Sequence, residues 1–239
     1  MTTFVLVHGA WGGAHGWRKV RPLLREAGHE VFTPSLTGIG ERSHLTNPQI
    51  GLFTHVQDVV NAVFFEDLTE ITLVGYSYGG MVVTGCIDYI GDRIKHLVYL
   101  DAFLPEDGQS LDTLRGAAQE GPRPMPGREW SIPPQARTYD NPEDTAYAEP
   151  RRSAQPAGTF IEPVRLSRPV EDWPFSLTYI KATGEPRPAE NSGGAFWTAA
   201  DRTKASDRWA YYEVETNHLV PLNRPRELAD ILLEVSKQG

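Results

Sequence analysis

The stretch Ile71-Thr-Leu-Val-Gly75-Tyr76-Ser77-Tyr78-Gly79-Gly80-Met-Val-Val83 decides the fold. Its first half is β-branched and apolar, the signature of a buried strand. Its second half turns without a gap into residues that read as a helix to about Ile90. Between them lies G-x-S-x-G, the pattern of a serine on a sharp strand-to-helix turn with its hydroxyl lifted above a sheet. Glycines two before and two after are needed because side chains there would collide with the neighbouring strand and helix. The helix start also aims free N–H groups at any negative charge developing beside Ser77. Ser77 is therefore the candidate nucleophile.

Outward from this segment, apolar strand-like runs recur with helical stretches between them. The runs are Phe4–Val7, Glu30–Thr33, Ile71–Gly75, Ile94–Leu100, Leu177–Lys181 and Trp209–Val214. Helices are expected over Trp17–Ala27, over 54–66 with Thr54 as N-cap, and over Arg226–Val235. Alternation of this kind predicts an α/β protein, a mostly parallel six-stranded sheet with helices on both faces.

The interval from about 103 to 174 breaks the pattern. It holds 12 of the 19 prolines, among them Pro122, Pro124, Pro126 and the pair Pro133-Pro134. Proline breaks helices and cannot donate in a ladder, so regular core is excluded there. Trp130, Tyr139, Tyr147, Phe160 and Trp173 supply apolar material, which favours an irregular cap over a disordered linker. The expected organisation is one domain over 1–239, with core 1–102 and 175–239 and a cap insertion at about 103–174.

Two further segments complete a chemistry. Val5-Leu-Val-His8-Gly9-Ala10-Trp11-Gly12-Gly13 ends a strand in a glycine-rich loop, where a second oxyanion donor is expected. The candidate donors are the backbone N–H groups of Ala10 (with Trp11 its neighbour) and Tyr78. G-x-G-x-x-G and G-x-x-x-x-G-K-[ST] are both absent, which argues against a phosphate loop and a dinucleotide-binding oxidoreductase. Glu215-Thr-Asn-His218-Leu-Val-Pro221 follows the last strand, the position from which a general base reaches the serine. The order serine first, histidine last fits the same arrangement. His8 reads as a loop brace and His15 as an exposed residue that could line a pocket. His29, His44, His55 and His96 read as surface or structural.

The carboxylate behind His218 has two candidates. Asp101 interrupts the apolar run Leu97-Val-Tyr-Leu-Asp-Ala-Phe-Leu104 and must have a cationic or hydrogen-bonding partner. Glu185 follows the strand Leu177–Lys181. Asp101 stands slightly ahead, with a turn cap as its ordinary alternative.

These segments resemble the α/β-hydrolase superfamily over the whole length. More narrowly, the chain is similar to the plant methylesterase and hydroxynitrile lyase group and its bacterial carboxylesterase relatives. The resemblance rests on FVLVHGAWGG (Phe4–Gly13), SLTGIGERSHL (Ser35–Leu45), LVGYSYGG (Leu73–Gly80), HLVYLDAFLPEDGQS (His96–Ser110) and NHLVPLNRPRELADILL (Asn217–Leu233). It implies a serine esterase acting on a small, apolar or aromatic ester through an acyl-enzyme, with no cofactor and no metal. The group's plant acid follows the penultimate strand, which is Glu185's position here, though the spacing to His218 is longer. The lyases carry threonine and lysine where this chain has Gly9 and Leu219, so no cation is expected for a departing cyanide. A lyase, and a slow-turnover ligand sensor that keeps the three residues, remain the alternatives.

Bulk properties agree with that class. Hydrophobic residues make up 40% and charged residues 23%, ordinary for a soluble globular chain. A formal net charge of −8 argues against nucleic acid or an anionic membrane as partner. Cys86 is the single cysteine, which excludes an internal disulfide and a cysteine metal cluster. The N-terminus reads as neither signal peptide nor membrane span, so a cytoplasmic location is expected. Oligomeric state is not legible.

Overall fold

The computed structural model describes residues 1–116, 129–187 and 194–238. Pro122, Pro124, Pro126 and Pro188 lie outside the described residues. Six strands form one sheet: β1 (Thr3–Val7), β2 (Glu30–Phe32), β3 (Ile71–Tyr76), β4 (Ile94–Leu100), then β7 (Ser176–Ala182) and β8 (Trp209–Val214), in the order β2-β1-β3-β4-β7-β8. Between β4 and β7 in the chain, β5 (Ser131–Ile132) and β6 (Gln155–Pro156) make a separate two-residue antiparallel pair. Every neighbouring pair in the main sheet is parallel.

Parallel strands need crossovers, and the helices supply them. In chain order they are α1 (Val20–Glu26), α2 (Leu52–Phe65), α3 (Gly79–Ile90), the short α4 (Leu111–Leu114), α5 (Pro142–Ala148) and α6 (Gly158–Ile161), then α7 (Ala195–Lys204), α8 (Val220–Asn223) and α9 (Pro225–Val235). Strand alternation divides the core. Phe4, Leu6, Val74, Val98 and Ile180 face Val20 and Leu24 of α1 and Leu228 and Leu232 of α9. Val5, Val7, Leu73, Leu97 and Tyr179 face the other way, onto α2, α3 and α7.

Two expectations need correction. The helix expected at Trp17–Ala27 is a 3₁₀ turn at Ala14–Trp17 followed by α1. Pro22 sits in the first turn of α1, where its missing N–H has no intrahelical partner to lose. The helix expected at 54–66 starts at Leu52 with Gly51 as N-cap. Thr54 does not cap it; the Glu162 carboxylate, 109 residues away, accepts the Phe53 N–H at 2.9 Å. Helix α7 was not anticipated, because its core face is only Ala199, Ala200 and Thr203.

The interval 103–174 is irregular wherever it is described, with α4, α5 and α6 at 4, 7 and 4 residues. Among the described residues no helix is long and apolar enough to cross a membrane.

The strand order reverses at β1, so the chain leaves β1 and β3 toward opposite sides. A crevice opens at such a switch point, outside the carboxyl ends of the strands. The ends of β1, β3, β4 and β7 and the loop after β8 all converge there.

Candidate active site

Ser77 follows β3 directly and has φ 56°, a conformation that costs a non-glycine residue energy and persists only when the surroundings enforce it. Three backbone bonds do so: Ser77 N–H donates to Leu100 O at 3.2 Å, and its carbonyl accepts from Gly80 at 3.1 Å and Phe103 at 3.2 Å. The flanking glycines are sterically required. A Cβ at Gly75 would lie 2.6 Å from Val83 Cγ2, and one at Gly79 would lie 2.7 Å from Val7 O. Trp11 (φ 60°) and Asp101 (φ 38°) share this strained geometry, so the site holds three of the five non-glycine residues with positive φ among those described.

The structure brings Ser77, His218 and Asp101 into one chain of contacts. His218 Nε2 lies 2.9 Å from Ser77 Oγ, and its Nδ1 lies 2.7 Å from Asp101 Oδ2. Asp101 follows β4 and is 2% exposed, with its N–H donating to Ile180 O at 2.7 Å. Burial alone would push its carboxyl up. The His218 hydrogen bond and charge, with the Lys181 charge, outweigh that and hold it below the usual carboxylate value. Glu185 is exposed at the cavity wall and has no contact with His218 Nδ1.

The imidazole is held on every side. Its ring stacks between Phe196 (5.0 Å, 10°) and Tyr76 (5.0 Å, 29°). The Tyr76 hydroxyl donates to the His218 carbonyl at 2.8 Å, and burial pushes that phenol up to about 12. Asn217 Oδ1 accepts the Leu219 N–H at 2.9 Å, an Asx-type turn that presents His218 just before α8 starts at Val220.

The loop after β1 distinguishes the Ala10 amide from that of Trp11. The Trp11 N–H donates to Gln155 Oε1 at 3.1 Å and is therefore occupied. Among the described residues neither the Ala10 nor the Tyr78 amide has a hydrogen-bond partner, and both residues line the cavity above Ser77. Trp11 is further tied by its indole to Ile132 O (3.1 Å) and by its carbonyl to Ser153 N–H (3.0 Å).

That cavity measures about 330 Å³, within the size range of small-molecule sites. Trp11, Phe103, Leu111, Phe160, Phe196 and Trp197 make its apolar walls, and Arg115, Gln135, Arg137, Lys181 and Glu185 its polar ones. Contrary to the expectation of no nearby cation, Lys181 lines it. Its Nζ is engaged by Asp101 Oδ1 (2.5 Å) and Ala182 O (2.6 Å). Gly9 presses against Ser77, since a Cβ there would lie 2.9 Å from Ser77 Cβ. Leu219 lines a second, smaller cavity on the other side of Tyr76.

The remaining histidines fall outside this contact chain. His8 is buried, its Nδ1 2.9 Å from Gly9 O and its Nε2 accepting the Leu36 N–H, and burial lowers it to about 4. His55 is equally buried between Tyr78 Oη and Thr37 O and also lowered to about 4. His15 is half-buried and lines the smaller cavity near Glu41, so the reading of it as exposed is corrected. Lys181, Phe196 and Gln155 were missed in the sequence. Only Lys181 carried a signal, a charge closing the apolar run Leu177–Lys181.

Comparison with known proteins follows the same lines. A model of the alpha/beta hydrolase family matches residues 4–231. A carbendazim hydrolyzing esterase of Nocardioides sp. (strain SG-4G) is 52% identical over 114 residues, 48% of this chain and 47% of that one. An alpha-hydroxynitrile lyase of Arabidopsis thaliana is 37% identical over 109 residues, 43% and 40% of the two chains. These matches span about half the length of the curated relatives or less. Among solved structures, an extracellular α/β-hydrolase from a Paenibacillus species superposes with a TM-score of 0.73 at 23% identity, covering 100% of both chains, which is a likeness of fold. With a match running from β1 into α9 and the six-stranded sheet already described, the chain belongs to the alpha/beta hydrolase family.

Proposed function

We propose that the protein is a serine esterase, hydrolysing a small apolar or aromatic carboxylic ester through an acyl-enzyme. The observation that carries this reading is the unbroken contact chain Ser77 Oγ–His218 Nε2 (2.9 Å) and His218 Nδ1–Asp101 Oδ2 (2.7 Å) at the floor of the cavity. In this reading His218 takes the Ser77 proton as Oγ attacks the ester carbonyl. The Ala10 and Tyr78 amides receive the oxyanion, each worth roughly 2.7–4 kcal/mol in the transition state. His218 then protonates the leaving alcohol, and water activated by the same imidazole releases the acid. Asp101 keeps the proton on Nδ1 and stabilises the imidazolium. These steps require no metal or organic cofactor.

The aromatic cavity walls support an aryl or other apolar group in the substrate. The described residues between about 103 and 174 act as its cap, on a core drawn from the described residues of 1–102 and 175–239. Cyanohydrin cleavage is disfavoured: Gly9 leaves no room for threonine, Leu219 supplies no charge, and Lys181 is bound to Asp101.

Ser77→Ala tests the reading. Hydrolysis of a short p-nitrophenyl ester is expected to fall by at least about 10⁴-fold, with an unchanged circular dichroism spectrum. Retained hydrolysis overturns the assignment. A panel of methyl esters, aryl esters and lactones, with carbendazim included, then ranks substrates by kcat/KM; stoichiometric binding with negligible turnover across it points to a ligand sensor instead.

A further inference from the structure

Lys181 is 4% exposed and lies in the interior of the sheet, one residue before β7 ends. An ammonium in that setting needs three acceptors for its three N–H groups. It has Asp101 Oδ1 at 2.5 Å, the Ala182 carbonyl at 2.6 Å and the face of Trp197, with Nζ 4.4 Å from the ring centroid. Asp101 is thereby shared: one oxygen faces the ammonium, the other faces His218 Nδ1. The Ala182 N–H adds a longer bond to Oδ1 at 3.3 Å.

We propose that Lys181 is a positioning residue of the hydrolytic reaction, fixing the Asp101 carboxylate on His218 while offsetting part of its charge. The inference rests on the reading of Ser77, His218 and Asp101 as an acyl-transfer triad. A carboxylate facing an imidazole in a dry site stabilises the imidazolium strongly. Too strong a hold would keep the base protonated and unable to accept the Ser77 proton at neutral pH. An ammonium on the far oxygen weakens that hold without disturbing the near one.

Other charges do not duplicate this role. Asp101 is faced by Lys181 from β7, by His218 from the loop after β8, and by the Tyr179 and Tyr211 phenols. Tyr179 donates its hydroxyl to Ala102 O, away from the carboxylate. His218 is also faced by Ser77 and Tyr76, and the cavity wall adds Arg115, Arg137 and Glu185, two positive charges and one negative. Among the described residues, Lys181 is the one lysine or arginine in direct contact with the Asp101 carboxylate, beside the His218 imidazole.

The test is an NMR titration of the His218 ring nitrogens, which does not depend on turnover. It compares Ser77→Ala with Ser77→Ala/Lys181→Gln. Glutamine keeps an N–H donor for Oδ1 and removes the charge; Lys181→Met, which removes both, is the second variant. The midpoint is expected to rise by roughly one to two pH units in both, the size of a lost unit charge a few ångströms away at an effective dielectric near 20. In the Ser77-intact enzyme the acid limb of kcat/KM moves up with it. A midpoint within about 0.3 pH units of the parent in both variants, small beside that Coulomb estimate, overturns the proposal and leaves Lys181 a packing residue. Failure of the esterase reading appears separately, as hydrolysis that survives Ser77→Ala.

Discussion

Strands β4 and β7 lie side by side, paired from His96↔Ser176 to Leu100↔Ile180, and both end at the cavity. Strand β4 is followed by a carboxylate, Asp101, in a strained backbone, whereas β7 carries an ammonium, Lys181, in regular extended structure. A family resemblance alone placed the acid after the penultimate strand, which is β7. Here that strand holds the opposite charge and leaves its nearby carboxylate, Glu185, exposed in solvent. The proposed reading needs a negative charge beside His218 Nδ1, and here the end of β4 supplies it through Asp101 Oδ2 at 2.7 Å. Once β4 supplies it, β7 is free to carry the counter-ion. Burying either member alone would be costly, and together they satisfy one another.

The largest expected effect comes from removing the charge after β4. Asp101→Asn is expected to lower kcat by about 10⁴-fold, measured by steady-state ester hydrolysis with active-site titration. A loss of that size in Glu185→Gln instead would return the acid to the β7 side. Next comes stability. Breaking the pair with Lys181→Met alone is expected to cost about 3–5 kcal/mol in urea unfolding, since it leaves a buried carboxylate without its cation. The double variant Asp101→Asn/Lys181→Met is expected to recover most of that loss while remaining inactive. Failure to recover would show that the pair does more than balance charge.

Acid sensitivity sharpens the comparison further. The Asp101 carboxyl is held low by His218 and Lys181 against its burial. A depressed folded-state value contributes stability that is full above the ordinary carboxylate pKa of about 3.9 and is lost as pH falls through the folded value. The double variant is therefore expected to unfold less steeply with acid below about pH 4, read by fluorescence at fixed urea. Smallest is Glu185→Gln, expected to change kcat/KM by no more than about twofold, the scale of a surface effect near 0.5 kcal/mol.

The parts legible in the sequence were those built from contiguous residues. Strand, turn and helix around Ser77 form one uninterrupted segment, and β4 and β8 have the bounds expected from their apolar runs. His218 was legible because its place after the last strand is a matter of chain order. Other features depend on residues far apart in sequence. Ala10 was the expected oxyanion donor with Trp11 its neighbouring candidate, and what sets the two apart is Gln155, 144 residues later, which occupies the Trp11 N–H. Phe196 stacks on His218 from a helix whose core face is two alanines and a threonine, too small to produce an apolar stripe. Lys181 looked like a charge ending a strand, because its partner lies 80 residues earlier.

Trp11 connects the two halves of this molecule more tightly than its place in a loop suggests. Its amide, carbonyl and indole are bound to Gln155, Ser153 and Ile132, all from the region between β4 and β7. The neighbouring amide is that of Ala10. In the proposed reading, the segment that caps the cavity is thus also the clamp that aims the Ala10 amide. On that reading, substrate range and rate are not separable modules. A transplanted segment that fits a new molecule but lacks an acceptor at position 155 would admit it and turn it over slowly, and directed evolution of this region will meet that coupling first.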